Sequence, residues 1–324
     1  MVQEHTIVSL GMKDNFLITG ATGFIGVNLV RELVRQGHNV NVIVRNKRLN
    51  WRLWDISQQI SIHECDIQEP RLQGIVSKIK PDYIFHLAAY GALPSENDIG
   101  KMVDVNIKGT ANLIDAVKQN PFKLFINTSS CVEYGIKNLA MKEDDILEPI
   151  NNYGVVKSAV TLYCQKEAIR SNLPLINLRL FTPFGYFENK DRLIPSVVLS
   201  VIKNEPIRVS TPESVRDFVF IEDVVDAYIH ATKTLFSKGE IFNIGTGIEH
   251  RVEEIIKICI KLSNSESKVL WGAVEKQSRF IEPKTWKADT SKTKTLLKWE
   301  SKNSMESGLQ KTIDWFRKNK SLYS

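Results

Sequence analysis

The stretch from residue 15 to 26, NFLITGATGFIG, limits what this chain can fold into more than any other. Phe16, Leu17 and Ile18 form a short apolar run of the kind that makes a buried parallel strand. Gly20, Gly23 and Gly26 follow. Beyond them Val27, Val30, Leu33 and Val34 recur at helical spacing as far as Gly37, where a helix would stop. The glycines therefore fall where a strand turns into a helix. One glycine allows the bend, one lets backbone approach a pyrophosphate, and one lets the helix lie close on the strand. The free N–H groups and positive dipole of a helix start favour a bound phosphate. Gly20, Thr22, Gly23, Phe24, Ile25 and Gly26 are the predicted cradle.

The first half of the chain alternates strand and helix patterns. Predicted strands lie at 39–45, 61–67, 82–89, 123–130 and 174–180. Between them, helical spacing covers 71–80, 102–120 and 152–171. Such alternation implies an α/β fold, a doubly wound parallel sheet covered on both faces. Ligands in such sheets bind at the carboxyl ends of the strands. After residue 181 the rhythm breaks, because TPFGYFENKDRLIP cannot be one regular element. A helix pattern returns at 223–236 and an apolar strand at 240–247; the remainder is helical with short strands. The predicted organisation is a leader at 1–14 and a nucleotide-binding domain at 15–180, to which 216–247 returns. A smaller, partly interleaved α/β lobe spans 181–215 and 248–324.

With 43% hydrophobic and 25% charged residues, the composition is that of a soluble globular protein. The net charge of +6 comes from scattered basic residues, so it reads as solvated faces and sites for a small anion. No aromatic–basic module for nucleic acid is present. No apolar run approaches the roughly 20 residues needed to span a bilayer, and the N-terminus is not a signal peptide. Cys65, Cys131, Cys164 and Cys259 lie far apart, with no metal-ligand spacing, as expected of reduced thiols in the cytoplasm.

Tyr153-x-x-x-Lys157 puts a phenol and an ammonium on one helical face, one turn apart. An ammonium near a phenol favours the phenolate and suits it to acid/base work. Tyr186-x-x-x-Lys190 has the same spacing but sits among Pro183, Gly185 and Asn189, in a segment unsuited to a helix. Ser130 ends the fifth predicted strand, at the ligand-binding edge. Its hydroxyl could hold a substrate oxygen beside that of Tyr153 while a nicotinamide exchanges hydride.

With these residues in view, the chain resembles the extended short-chain dehydrogenase/reductases that act on nucleotide sugars, over roughly residues 15 to 295. Thr19 to Gly26 matches the family's T-G-x-x-G-x-x-G loop. Asp66 and Ile67 match its adenine-contacting pair. His86, Leu87, Ala88 and Ala89 match its H-x-A-A strand end, and Asn106 the asparagine of V-N-x-x-G-T. Residues 129–135, SSCVEYG, resemble the segment bearing the catalytic Ser or Thr. Tyr153 and Lys157 match the catalytic pair. Arg216-Asp217-Phe218-Val219 resembles the segment whose arginine binds the sugar nucleotide diphosphate. The resemblance implies a Rossmann domain, a nucleotide-diphosphate sugar as partner, and a homodimer formed through the helix of Tyr153 and the helix at 102–120.

Two departures bear on the reaction. Dehydratases of the family place Asp and Glu after the catalytic Thr; here Cys131 and Val132 stand there, which disfavours elimination of water. Glu133 lies one position later, and a one-residue shift points it elsewhere, to a structural or substrate-binding role. At the end of the second strand, NAD-preferring relatives carry a carboxylate, whereas this chain has Arg45 and Lys47. A guanidinium suits a 2′-phosphate, so NADP(H) is the expected cofactor, with NAD(H) the alternative. NADP(H) points to a 4-keto-6-deoxyhexose reductase; a 4-epimerase with retained NAD would use the same Ser130, Tyr153 and Lys157. A catalytically silent nucleotide-binding scaffold is a reading of another class, against which the intact set argues. Substrate contacts are expected from Ser130, Cys131, Thr182, Arg192, Arg216 and Arg279, with Arg216 and Arg279 on the diphosphate.

Overall fold

The structure is a computed structural model that describes residues 13–46, 51–93, 95–274 and 285–323. The first strand, β1 (Asn15–Thr19), runs into α1 (Phe24–Arg35) through the glycine turn. There follow β2 (Asn39–Val44), a tight helical turn at Trp51–Gln59, β3 (Ser61–Glu64), α2 (Leu72–Ile79) and β4 (Tyr83–His86). Next come α3 (Ile99–Met102), a π turn at Val103–Lys108, α4 (Gly109–Val117), β5 (Leu124–Ser130) and a short turn at Cys131–Glu133. The helix of Tyr153 and Lys157 is α5 (Asn152–Arg170), and β6 (Leu175–Leu180) completes the half.

Beyond it lie β7 (Thr182–Phe184), α6 (Leu193–Lys203), β8 (Ile207–Val209), β9 (Val215–Arg216) and β10 (Phe218–Phe220). Then α7 (Ile221–Ala231) and β11 (Ile241–Ile244) follow. The chain ends with β12 (His250–Arg251), α8 (Val252–Ser263), β13 (Val269–Trp271), a π turn at Thr293–Leu297, α9 (Met305–Lys318) and a final turn at Lys320–Tyr323.

Among the described residues, one seven-stranded sheet has the order β11-β6-β5-β4-β1-β2-β3, and every pairing is parallel. The alternation of side chains along each strand feeds two cores. Phe16, Ile18, Val42, Phe85, Ile126 and Leu178 pack on one face with α1, α7 and the lobe helices. Leu17, Ile43, Ile84, Phe125 and Leu175 pack on the other with α2, α4 and α5. Each such side chain, removed from water, contributes about 1.5–3 kcal/mol. β11 is the outermost strand on its side, and its edge is covered rather than open: the Asn243 N–H donates to Glu143 Oε1 at 2.8 Å, and the Asn243 amide reaches the Met141 carbonyl at 2.8 Å.

Several strands are shorter than their apolar runs suggest. Those expected at 39–45, 61–67 and 82–89 stop at Val44, Glu64 and His86, so Arg45, Asp66, Ile67, Leu87, Ala88 and Ala89 lie in the loops beyond them. The helix expected over 102–120 runs from Ile99 to Val117 and contains a π-helical stretch at Val103–Lys108, where the Asn106 amide reaches Tyr90. The segment after residue 181 holds only β7 before α6 begins at Leu193.

Candidate active site

The three glycines of the first turn each do different work. Gly20 has φ +69°, and a Cβ there would lie 2.5 Å from the Leu87 carbonyl carbon. Gly23 is the N-cap of α1, its N–H bonded to the Gly20 carbonyl at 3.0 Å. At Gly26 a Cβ would run into the Gly20 carbonyl, so helix and turn touch backbone to backbone. No side chain caps α1 and no acidic residue sits in its first turn, so nothing there offsets the positive end of its dipole. Phe24 and Ile25 are half-buried against the core. The Thr22 carbonyl accepts from Arg52 Nη1 at 3.2 Å, a contact that the sequence reading missed. This cradle fits a pyrophosphate: it is shaped by absent side chains and opens on a helix start that no side chain caps.

Strand end β4 is locked to this turn. His86 Nδ1 lies 2.6 Å from Thr19 Oγ1 and its Nε2 lies 2.8 Å from Thr110 Oγ1. Burial pushes the imidazole down to about 3, so it is neutral. Because Thr110 donates to the Asn106 carbonyl, it accepts from Nε2–H, and Nδ1 accepts from Thr19. The Leu87 N–H reaches the Thr19 carbonyl and the Ala88 N–H the Thr19 hydroxyl.

Two expected cofactor-binding residues also hold the protein's own backbone in place. The Asn106 amide exchanges hydrogen bonds with the backbone of Tyr90, 2.8 Å in each direction, and so clamps the loop after β4 while keeping one further N–H and one lone pair. The Ile67 side chain is buried against Gly109, where a Cβ would lie 2.5 Å from its Cδ1, which leaves only its backbone to face a ligand. Asp66 Oδ1 accepts from the Gln68 N–H at 2.9 Å and shapes that turn. Arg45 is exposed at the end of β2. Lys47 and Arg279 lie outside the described residues.

Ser130 closes β5 in an extended conformation and caps the Cys131–Glu133 turn. Facing it, α5 starts at an Asn151 cap, whose Oδ1 takes the Gly154 N–H at 2.8 Å. Gly154 lets the helix approach: a Cβ there would lie 2.8 Å from the Val132 carbonyl. Lys157 is buried and donates to the carbonyl of Thr128, two residues before Ser130 on the same strand. The first turns of α5 are thus fastened to the end of β5, and Tyr153 is half-buried there.

The Lys157 ammonium is turned onto the Thr128 carbonyl, and the groups acting most strongly on Tyr153 lie elsewhere. Burial pushes the phenol above its ordinary range; the cation that opposes this is Arg192, while Glu133, Glu96 and Cys131 add to it. Burial also lowers Lys157, which Glu133 counters. Arg192 Nη2 donates to the Ala92 carbonyl at 2.7 Å and so bridges the loops after β4 and before α6. The alternative Tyr186 is turned away, with its hydroxyl on Glu222 at 3.0 Å.

Cys131, expected among the substrate contacts, is buried, its side chain packed among Tyr134, Met141, Phe181, Val215 and Trp286. Trp286 Nε1 donates to its sulfur at 3.3 Å, and burial raises the thiol to about 12, so it is no proton donor at neutral pH. Arg216 lies with its guanidinium 5.5 Å from the centre of the Trp286 ring, and Thr182 pairs in β7 with the adjacent segment. Asp217, fully buried, accepts from the N–H groups of Thr246, Gly247 and Ala288 at 2.8, 2.9 and 3.1 Å. Glu133 is also fully buried, in an ion pair with Arg179 at 3.1 Å. Trp286 and Arg179 went unnoticed in the sequence; a lone arginine in the apolar run PLINLRL was the available signal.

Residues 16–245 match a family described as "NAD dependent epimerase/dehydratase family". The chain is 28% identical over 312 residues to a UDP-glucose 4-epimerase of Lactobacillus helveticus, covering 89% of this chain and 92% of that one. It is also 28% identical over 321 residues to a UDP-N-acetyl-alpha-D-glucosaminuronate decarboxylase of Bacillus cytotoxicus, covering 94% and 98%. A UDP-glucuronic acid 4-epimerase of Bacillus cereus, solved with UDP-glucuronic acid and NAD, superposes with a TM-score of 0.84 at 27% identity, covering 94% and 99%.

Proposed function

Because the chain belongs to the NAD dependent epimerase/dehydratase family, we propose that it is a nucleotide-sugar 4-epimerase that retains NAD. The observation carrying this reading is the fastening of Ser130, at the end of β5, to the α5 turns of Tyr153 and Lys157, beside the open glycine cradle. The epimerases among the relatives support it over the expected reductase.

Gly20, Thr22, Gly23, Phe24 and Ile25 hold the pyrophosphate, and Asp66 with Leu87 to Ala89 border the adenosine and nicotinamide. Bound there, the nicotinamide supplies hydride chemistry at the sugar C4. Tyr153 takes the proton of the C4 hydroxyl and returns it, Ser130 donates a hydrogen bond to the same oxygen, and Lys157 holds the positive charge that the phenolate needs. Arg192 and Arg216, with the lobe at 181–215 and 248–324, grip the nucleotide diphosphate. A homodimer through α5 is supported by Val155, Leu162 and Ile169, exposed at seven-residue spacing on that helix.

A second reading keeps a specific observation: no carboxylate but the exposed Arg45 stands at the end of β2. It favours NADP(H) and a 4-keto-6-deoxyhexose reductase. One experiment separates the two. The purified protein is tested for bound NAD and for interconversion of UDP-glucose and its 4-epimer without added cofactor, and for NADPH consumption with 4-keto nucleotide sugars. Turnover only with consumed NADPH would replace the first reading by the second.

A further inference from the structure

Beneath the proposed catalytic residues lies a charge pair that their chemistry does not explain. Glu133 and Arg179 are 0% and 1% exposed, and both guanidinium contacts, from Nε and Nη2, go to one carboxylate oxygen at 3.2 and 3.1 Å. The other oxygen, Oε1, gathers three donors. They are the Ser129 hydroxyl, the Ser130 N–H at 3.2 Å and the Thr161 hydroxyl at 3.0 Å. Ser129 and Ser130 end β5, whereas Thr161 lies on α5, one turn beyond Lys157. One carboxylate therefore binds the strand carrying the serine to the helix carrying the tyrosine and lysine. Arg179, from the neighbouring β6, stacks on the Tyr134 ring at 4.3 Å and fixes the turn from its far side.

Stability does not account for such a pair. Taking two charges out of water costs about what their attraction returns, and an apolar pair of equal volume is often as stable or more so. A positional role does account for it, since the pair is built where strand end and helix must keep one spacing. Resting on the reading of Ser130, Tyr153 and Lys157 given above, we infer that Glu133 is a positioning residue, neutralised by Arg179, that sets the distance between the serine and the tyrosine–lysine helix.

The inference extends to charge. The groups facing Tyr153 are Glu96 from the loop after β4, Arg192 from the loop before α6, and Glu133 and Cys131 from the turn after β5. Facing Lys157 are Glu133, Cys164 of its own helix and the neutral His86 of β4. Glu133 is the anion common to both. Removing its charge also exposes that of Arg179, and both changes favour the phenolate.

Two variants test this, each compared with wild type and with Tyr153→Phe. Glu133→Gln keeps an acceptor for the three donors but loses the charge. Glu133→Val/Arg179→Met loses both charges and the tie, and frees the Ser129 and Thr161 hydroxyls, 2.7 Å apart, to hydrogen-bond each other. Tyrosine ionisation is followed by difference absorbance at 295 nm against the matching Tyr153→Phe protein, which requires no substrate. In Glu133→Gln the Tyr153 midpoint is expected to fall by about one pH unit. In the double variant, kcat for UDP-glucose interconversion is expected to fall about tenfold or more, with KM held within about twofold. An unmoved midpoint in folded Glu133→Gln, or an unchanged kcat in the double variant, would overturn the inference. Turnover that survives Tyr153→Phe would instead strike at the catalytic reading itself.

Discussion

Thr19 and His86 meet across the paired strands β1 and β4, the threonine hydroxyl 2.6 Å from the imidazole Nδ1. This contact joins the end of the first strand to the loop that borders the glycine cradle. It requires a neutral ring, because Thr110 and Thr19 already fix which nitrogen donates.

That requirement gives a pH dependence. His86 is held to about 3 in the folded protein, against roughly 6.5 when unfolded, so the unfolded chain binds more protons between these values. Stability is therefore expected to fall as pH drops below 6.5, by about 1.4 kcal/mol per pH unit from this residue. Urea unfolding at pH 6.5 and 5 should show a shallower fall in His86→Gln than in wild type. Equal slopes would remove His86 as the cause.

Tyr153→Phe is expected to lower kcat by about 10²–10⁴-fold, since it removes the proton carrier and little volume. Binding of NAD, read by quenching of tryptophan fluorescence, should persist. Wild-type turnover in the variant would assign acid/base work elsewhere.

Gly20→Ala should be costly, because its φ of +69° and the Leu87 carbonyl carbon 2.5 Å from a Cβ leave no room for a methyl. A loss of about 2 kcal/mol or more is expected, together with loss of dinucleotide affinity. Calorimetric melting and titration would read both, and an unchanged melting temperature would show that the turn can open.

For Arg216→Ala, the expected result is a rise in KM for the nucleotide sugar that exceeds the fall in kcat. The residue sits against Trp286, so on the proposed role the diphosphate rather than the reacting carbon should feel its loss. A change confined to kcat would move Arg216 out of the binding role.

The sheet and the glycine turn were legible because each rests on local rules: apolar runs for doubly covered strands, and glycine where a Cβ meets backbone. That Tyr153 and Lys157 share one helix was legible from their spacing. The errors came from contacts made across the fold. Asn106 turns its amide onto Tyr90, sixteen residues away, within a π-helical stretch that spacing alone does not report. Cys131 is hidden by Trp286, more than 150 residues further on. Glu133 could not be placed until Arg179 of β6 was seen beside it. Likewise the acidity of Tyr153 depends on how much water reaches it, which no spacing reports.

The covering of β11 bears on how the molecule behaves in company. An outermost strand offers its N–H and C=O groups to any extended peptide that drifts near. Here the Asn243 N–H is already taken by Glu143. A carboxyl group held there denies a foreign strand its first hydrogen bond at that position. The sheet is thereby guarded against stray extension on that side, while helix α5 keeps its own apolar stripe for association.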